Sequence, residues 1–173
     1  MSMLSEYRIV VVGTDGSALA GPTVARAALQ ARCEDADLVI VCAFAEMPRR
    51  AEAKNVATLG GDSRLGQVLG RNAASAAIAG AVAVAQEQGA TIAAALLVDG
   101  EPAAALMSVA AERNADLIVV GARHQRSIAE RLLGTVATEV TKRAPCDVLI
   151  VRPAVEEGDL AVPEDSPAAD VGQ

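Results

Sequence analysis

Five short apolar runs recur along this chain, with helix-forming or turn-rich segments between them. They are Arg8-Ile-Val-Val-Val12, Leu38-Val-Ile-Val-Cys42, Thr91 to Val98, Leu117 to Val120 and Val148 to Val151. Continuous β-branched runs bounded by turn residues are the pattern of strands covered on both faces. Strands that alternate with helices lie parallel in one sheet, with helices packed on either side. The expected fold is therefore α/β: a single-domain, three-layer, doubly wound parallel sheet of five strands in the order 3-2-1-4-5.

The intervening segments fit this plan. A helix is expected from about Ala18 to Arg32, with Pro22 in its first turn, where a missing N–H costs little. A long loop from Ala43 to Arg64 contains Pro48, Gly60 and Gly61, and loops of that length in a compact domain usually serve a function or move. An alanine-rich helix is expected from about Leu65 to Gln88, ended by Gly89. Pro102 suits the first turn of a further helix running to about Asn114.

Composition narrows the function. The 173 residues suffice for one domain that buries about two thirds of its unfolded-chain surface. One Tyr, one Phe and no Trp leave few platforms on which bases could stack. With a net charge of −7, a nucleic-acid partner is not expected. The segment from Ala154 carries Glu156, Glu157, Asp159, Glu164, Asp165 and Asp170 and no base, so most of the net charge lies there. Its prolines and like charges read as a disordered, solubilising tail, 154–173, appended to a domain spanning 1–153. Cys33, Cys42 and Cys146 have neither CxxC nor metal-ligand spacing, and there is a single histidine, so no metal site is expected. The stretch Asn72 to Gln86 is shorter than the roughly 20 residues of a membrane span, and no signal peptide is evident. A cytoplasmic protein with no membrane partner is expected.

In a doubly wound sheet, ligands sit beyond the carboxyl ends of the strands, where the strand order switches direction. The first and fourth runs flank that switch. The first is followed by Gly13-Thr14-Asp15-Gly16-Ser17, the fourth by Gly121-Ala122-Arg123-His124-Gln125-Arg126-Ser127 and then Arg131-Leu-Leu-Gly134-Thr135-Val136. A helix opened by Gly134-Thr135 presents unpaired N–H groups and partial positive charge to an anion. Arg123, Arg126 and Arg131 add cationic side chains, which would equally suit surface ion pairs. The bland reading of Asp15 is a turn or helix cap, of Gly121 a turn glycine, and of Gly134 and Thr135 an ordinary helix start. No acidic cluster accompanies Asp15, so no catalytic residue is assigned.

These segments resemble the universal stress protein family. Gly121, nine residues between positions 124 and 134, then Gly134-Thr135 matches its nucleotide loop Gly-x-x-Gly, nine residues, Gly-Ser/Thr, with His124 where the second glycine is expected. Val10-Val-Val-Gly-Thr14-Asp15-Gly16-Ser17 resembles the family's opening strand and turn, Val98-Asp-Gly-Glu-Pro102 the loop after its third strand, and Ala144 to Val151 its closing strand. The likeness covers roughly residues 7–153 and implies an adenine nucleotide alpha hydrolase-like fold. It implies a stress-response regulatory module that binds ATP, or an adenine nucleotide with fewer phosphates such as AMP or cyclic AMP, with Mg2+ on the phosphates. By the same likeness the ligand would meet Thr14 and Asp15 on its adenine-ribose side, and the backbone of Ala43 at the adenine edge. Gly121, Arg123, His124, Gly134, Thr135 and Val136 would surround the phosphates. The likeness also implies a homodimer paired through Val148 to Val151. If the replaced glycine has positive φ, His124 would cost about 1 kcal/mol there, and its ring could contact a phosphate or exclude one. Two alternatives stay open: a dimeric interaction protein that binds no nucleotide, and a slow ATP hydrolase or self-phosphorylating enzyme.

Overall fold

A computed structural model describes residues 6–46, 67–122 and 133–152. Within them the chain runs β1 (Ile9–Gly13), α1 (Ala20–Glu34), β2 (Asp37–Ala45), β3 (Val68–Leu69), α2 (Arg71–Glu87), β4 (Thr91–Asp99), α3 (Pro102–Arg113), β5 (Leu117–Gly121), α4 (Thr135–Arg143) and β6 (Asp147–Val151). All strand pairings are parallel. The long strands lie in the order β4-β2-β1-β5-β6, which is the expected 3-2-1-4-5 once β3 is set aside.

The β-branched runs end up at the centre because both of their faces are covered. Val10, Val11 and Val12 have no solvent exposure. Odd and even residues of the central strands serve two different cores. Val11, Val39 and Val41 pack with Leu106 and Val109 of α3 and Val140 of α4. Val10, Val12, Leu38 and Ile40 pack with Val24 of α1 and Ala85 of α2. In α1 the buried positions Ala20, Thr23, Val24, Ala27, Ala28 and Ala31 follow the three-and-four spacing of a helix face. Small side chains let this helix lie close to the sheet.

Helix ends follow local chemistry. Pro102 occupies the first turn of α3, and Asn114 closes it in the left-handed region at φ 52°. Asp35 does the same for α1 at φ 55°. Just beyond α3, Oδ2 of Asp116 accepts the backbone N–H groups of Arg8 (2.8 Å) and Ile9 (3.0 Å), fastening the start of β1 to β5. No described helix is long and apolar enough to cross a membrane.

Three expectations need correction. Among the described residues the sheet has six strands, because Val68 and Leu69 pair with Phe44 and Ala45. The alanine-rich helix starts at Arg71 and not near Leu65, since Gly70 takes φ 87° and cannot continue a helix backwards. The second strand runs on through Ala43, Phe44 and Ala45, where the sequence reads as the start of a loop; β4 and β3 supply these residues with partners that no local pattern announces.

Candidate functional site

Because α1 leaves β1 toward β2, and α4 leaves β5 toward β6, the two connections part in opposite directions. The ends of the adjacent strands β1 and β5, held in register at Val12 and Val119, therefore frame a crevice of the kind that receives ligands in such sheets. Since β5 and β6 are parallel, the N-terminus of α4 lies at the same end of the sheet.

The turn after β1 is held by its own side chains. The Thr14 N–H donates to the carbonyl of Val41 (2.9 Å), and its buried Oγ1 accepts the N–H of Gly16 (3.3 Å). Oδ1 of Asp15 accepts the N–H of Ser17 (2.9 Å), an Asx turn of the sort aspartate favours. Among the described residues, Oδ2 of Asp15 has no hydrogen-bond partner. Gly16 has φ 73°, and a Cβ placed on it would stand 2.9 Å from Cβ of Ala77 in α2. The turn thus rests directly on that helix.

Ala43 is buried in β2, between Val41, whose carbonyl holds Thr14, and Ala45, whose carbonyl holds the Gly70 N–H (2.9 Å). Residues two apart in a strand turn their peptide groups to the same neighbour. The Ala43 peptide therefore faces the gap between the end of β1 and β3. Gln67 closes the far side of this region, its Nε2 donating to the carbonyl of Gly100 (2.7 Å). The Arg71 guanidinium lies over the Phe44 ring, 5.9 Å from its centroid. Sequence reasoning missed this wall; the trace it left was the dipeptide Val68-Leu69 directly before a glycine.

Gly121 ends β5, and a Cβ there would lie 2.7 Å from Oγ1 of Thr23. Thr23 is itself buried, its hydroxyl donating to the Leu19 carbonyl (3.1 Å). The absence of a side chain at 121 is therefore demanded by α1, apart from any ligand. Gly134 takes φ 84° before α4, among the described residues no side chain caps this helix, and its first turn carries no acidic residue. Thr135 is exposed and Val136 half-buried. Their N–H groups belong to the first turn, whose donors have no partner within the helix. Arg123, His124, Arg126, Ser127 and Arg131 lie outside the described residues, as do positions 47–64 of the long loop and the tail.

Burial, with a smaller contribution from the charge of Asp15, pushes the Cys42 thiol up to about 12. The folded protein keeps this proton where the unfolded chain, with a thiol near 8.5, releases it. Stability should therefore fall as pH rises from about 9 toward 12, by up to about 1.4 kcal/mol per unit. In Cys42→Ala that contribution should vanish, flattening the alkaline limb of a denaturation series taken between pH 8 and 11. An unchanged slope would refute the assignment.

The family model for the universal stress protein family matches residues 6–152. Universal stress protein Rv1636 of Mycobacterium tuberculosis is 38% identical over 148 residues, 86% of this chain and 98% of the relative. A universal stress protein crystallised in complex with cAMP superimposes with a TM-score of 0.64 at 35% identity, covering 87% of this chain and all of the other. The universal stress protein from Archaeoglobus fulgidus in complex with dAMP shares the fold, with a TM-score of 0.60 at 23% identity over 84% of this chain and 98% of its own.

Proposed function

The chain belongs to the universal stress protein family, and from that premise we propose that it is a stress-response module binding an adenine nucleotide at the ends of β1 and β5. One observation carries the reading: an open turn carboxylate, Asp15, and an uncapped helix start, Gly134-Thr135, share the switch-point end of the sheet, in a chain 35% identical to a protein crystallised with cAMP. Oδ2 of Asp15 would take a donor from the ribose or the adenine. Thr14, whose Oγ1 accepts from Gly16 in the turn, would keep its O–H free to donate to the ligand. The Ala43 peptide would read the base edge. Gly121, Thr135 and Val136 would receive the phosphate through backbone N–H groups and the Thr135 hydroxyl, with Arg123 and His124 beside it.

With ATP, Mg2+ would arrive on the phosphates. Among the described residues no group of three or more His, Cys, Asp or Glu is arranged to hold a metal. Mg2+ commonly binds through phosphate oxygens with one or two carboxylates, and Asp15 is the carboxylate nearest that role. A homodimer paired through β6 completes the proposal: its apolar residues Val148 to Val151 border an edge that is open among the described residues.

Calorimetry with AMP, cyclic AMP, ADP and ATP, with and without Mg2+, tests this. Micromolar binding of at least one is expected, and failure of all four at millimolar concentration sinks the reading in favour of an interaction module. Asp15→Asn keeps the Asx acceptor but loses the charge, so it should remain folded and bind about tenfold more weakly, about 1.4 kcal/mol. Unchanged affinity would remove Asp15 from the site. A large gain for ATP over AMP in His124→Gly would show that the imidazole limits the number of phosphates admitted.

A further inference from the structure

From Asn72 to Val98 the one charged residue is Glu87. The fold gathers this stretch into a single surface, because α2 packs on β2 and β4, and β4 stands at the border of the sheet. Ser75, Ala76, Ala79, Gly80 and Ala83 are exposed along α2, and Ala93 and Ala95 along β4. A solvated helix face ordinarily carries charge; this one carries none between its ends.

β4 is nine residues long and, among the described residues, has a strand neighbour on one side only. The Gly100 N–H donates to Phe44 (3.0 Å). Counting back by twos, the peptides of Val98 and Leu96 also face β2, which leaves those of Leu97 and Ala95 directed outward. Edges of this kind are normally blunted by lysine, proline or a covering element. A bulge near Ala93, opposite Leu38 and Val39, leaves the run from Ala94 to Asp99 regular. Gly80 adds an independent sign. A Cβ there would meet nothing within 4 Å, so its own chain gives no steric reason for a glycine that costs about 1 kcal/mol relative to alanine in mid-helix.

We infer that a second copy of this chain docks on this surface, β4 against β4 in antiparallel pairing about a two-fold axis perpendicular to the sheet. That axis keeps α2 of both copies on the same face, side by side. Paired strands lie about 4.8 Å apart and packed helices about 8–10 Å, so helices over neighbouring edge strands meet only if their facing side chains are small. Ala76, Ala79, Gly80 and Ala83 meet that demand. The two-fold geometry selects a second copy as the occupant, and charge permits it. Two copies each carrying −7 repel generally, and this face lets them meet without opposing like charges. It is separate from the β6 edge, so both joints together would build assemblies larger than a dimer.

Sedimentation velocity of the full chain across about 1–200 μM, with paired proline variants, tests this. Ala95→Pro removes an outward N–H on β4 and spares the ladder to β2. Val148→Pro does the same on β6, where the Val151 carbonyl accepts from Ala122 and so sets the inward parity. We expect species above the dimer in the unaltered protein, reduced to the β6-paired dimer in Ala95→Pro. A dimer split by Ala95→Pro alone would uphold this joint and remove the β6 one. A dimer split by Val148→Pro alone, or a monomer throughout, would overturn the inference. If Ala95→Pro fails to fold, Ala79→Glu on the exposed face of α2 decides in its place: it should dissociate the same joint while circular dichroism shows the fold retained, and unaltered assembly would count against the inference.

Discussion

Gly16→Ala should lower stability by about 2–5 kcal/mol, a fall in Tm on the order of 10 °C. Two effects add. At φ 73° an L side chain meets its own carbonyl, which costs about 1–2 kcal/mol. The new methyl would also stand 2.9 Å from Cβ of Ala77, far inside van der Waals contact, and overpacking of this kind costs about 1–3 kcal/mol. Ala77→Gly separates them. In the double variant the clash is gone and the strained φ stays, so part of the loss returns after allowance for the helix cost of Ala77→Gly alone. Full additivity in that cycle would refute the contact between turn and helix. Since the same turn carries Asp15, the effect of Gly16→Ala on the proposed nucleotide binding should be measured below its unfolding transition.

Gly121→Ala is expected to cost about 1–3 kcal/mol, for a reason the loop spacing does not contain. Its Cβ would lie 2.7 Å from the Thr23 hydroxyl, and Thr23 is buried with that hydroxyl bonded to Leu19, so it has little room to withdraw. Thr23→Ala removes the obstructing oxygen. The double variant should recover most of the stability, with a favourable coupling on the order of 1 kcal/mol in thermal or chemical denaturation. Absence of coupling would show that β5 shifts instead. The double variant also isolates the ligand role. If Gly121 gives a phosphate close access to the backbone, binding stays impaired after the fold is restored; if its role is packing alone, binding returns with stability.

How much of this was legible beforehand depends on where each determinant resides. Val10 to Val12, Leu38 to Ile40 and Leu117 to Val120 declared buried strands because β-branching and continuity are local properties. Pro102 marked a helix start for a similar reason, its fixed φ being set by its own ring. Strand alternation with helices gave the parallel sheet and the order of its long strands, and so placed the turn at Asp15 beside the end of β5. The short strand β3 and the extension of β2 through Ala45 could not be read this way. A two-residue strand has almost no pattern, and Ala43, Phe44 and Ala45 are strand because β4 and β3 stand beside them.

The same division holds at the candidate site. The spacing of Gly121, Gly134 and Thr135 pointed to an anion-binding loop, since a helix start is an electrostatic feature written in a few consecutive residues. Only the folded chain brings Thr23 against Gly121, seats Gly16 on Ala77, and lays the uncharged face of α2 along the open edge of β4. Each of these joins residues distant in the chain through contacts of a few ångströms. Local propensity therefore determined the long strands and helices and their succession along the chain, while tertiary packing decided the short strand β3, the extension of β2, which glycines have no room for a side chain, and which edges stay open among the described residues.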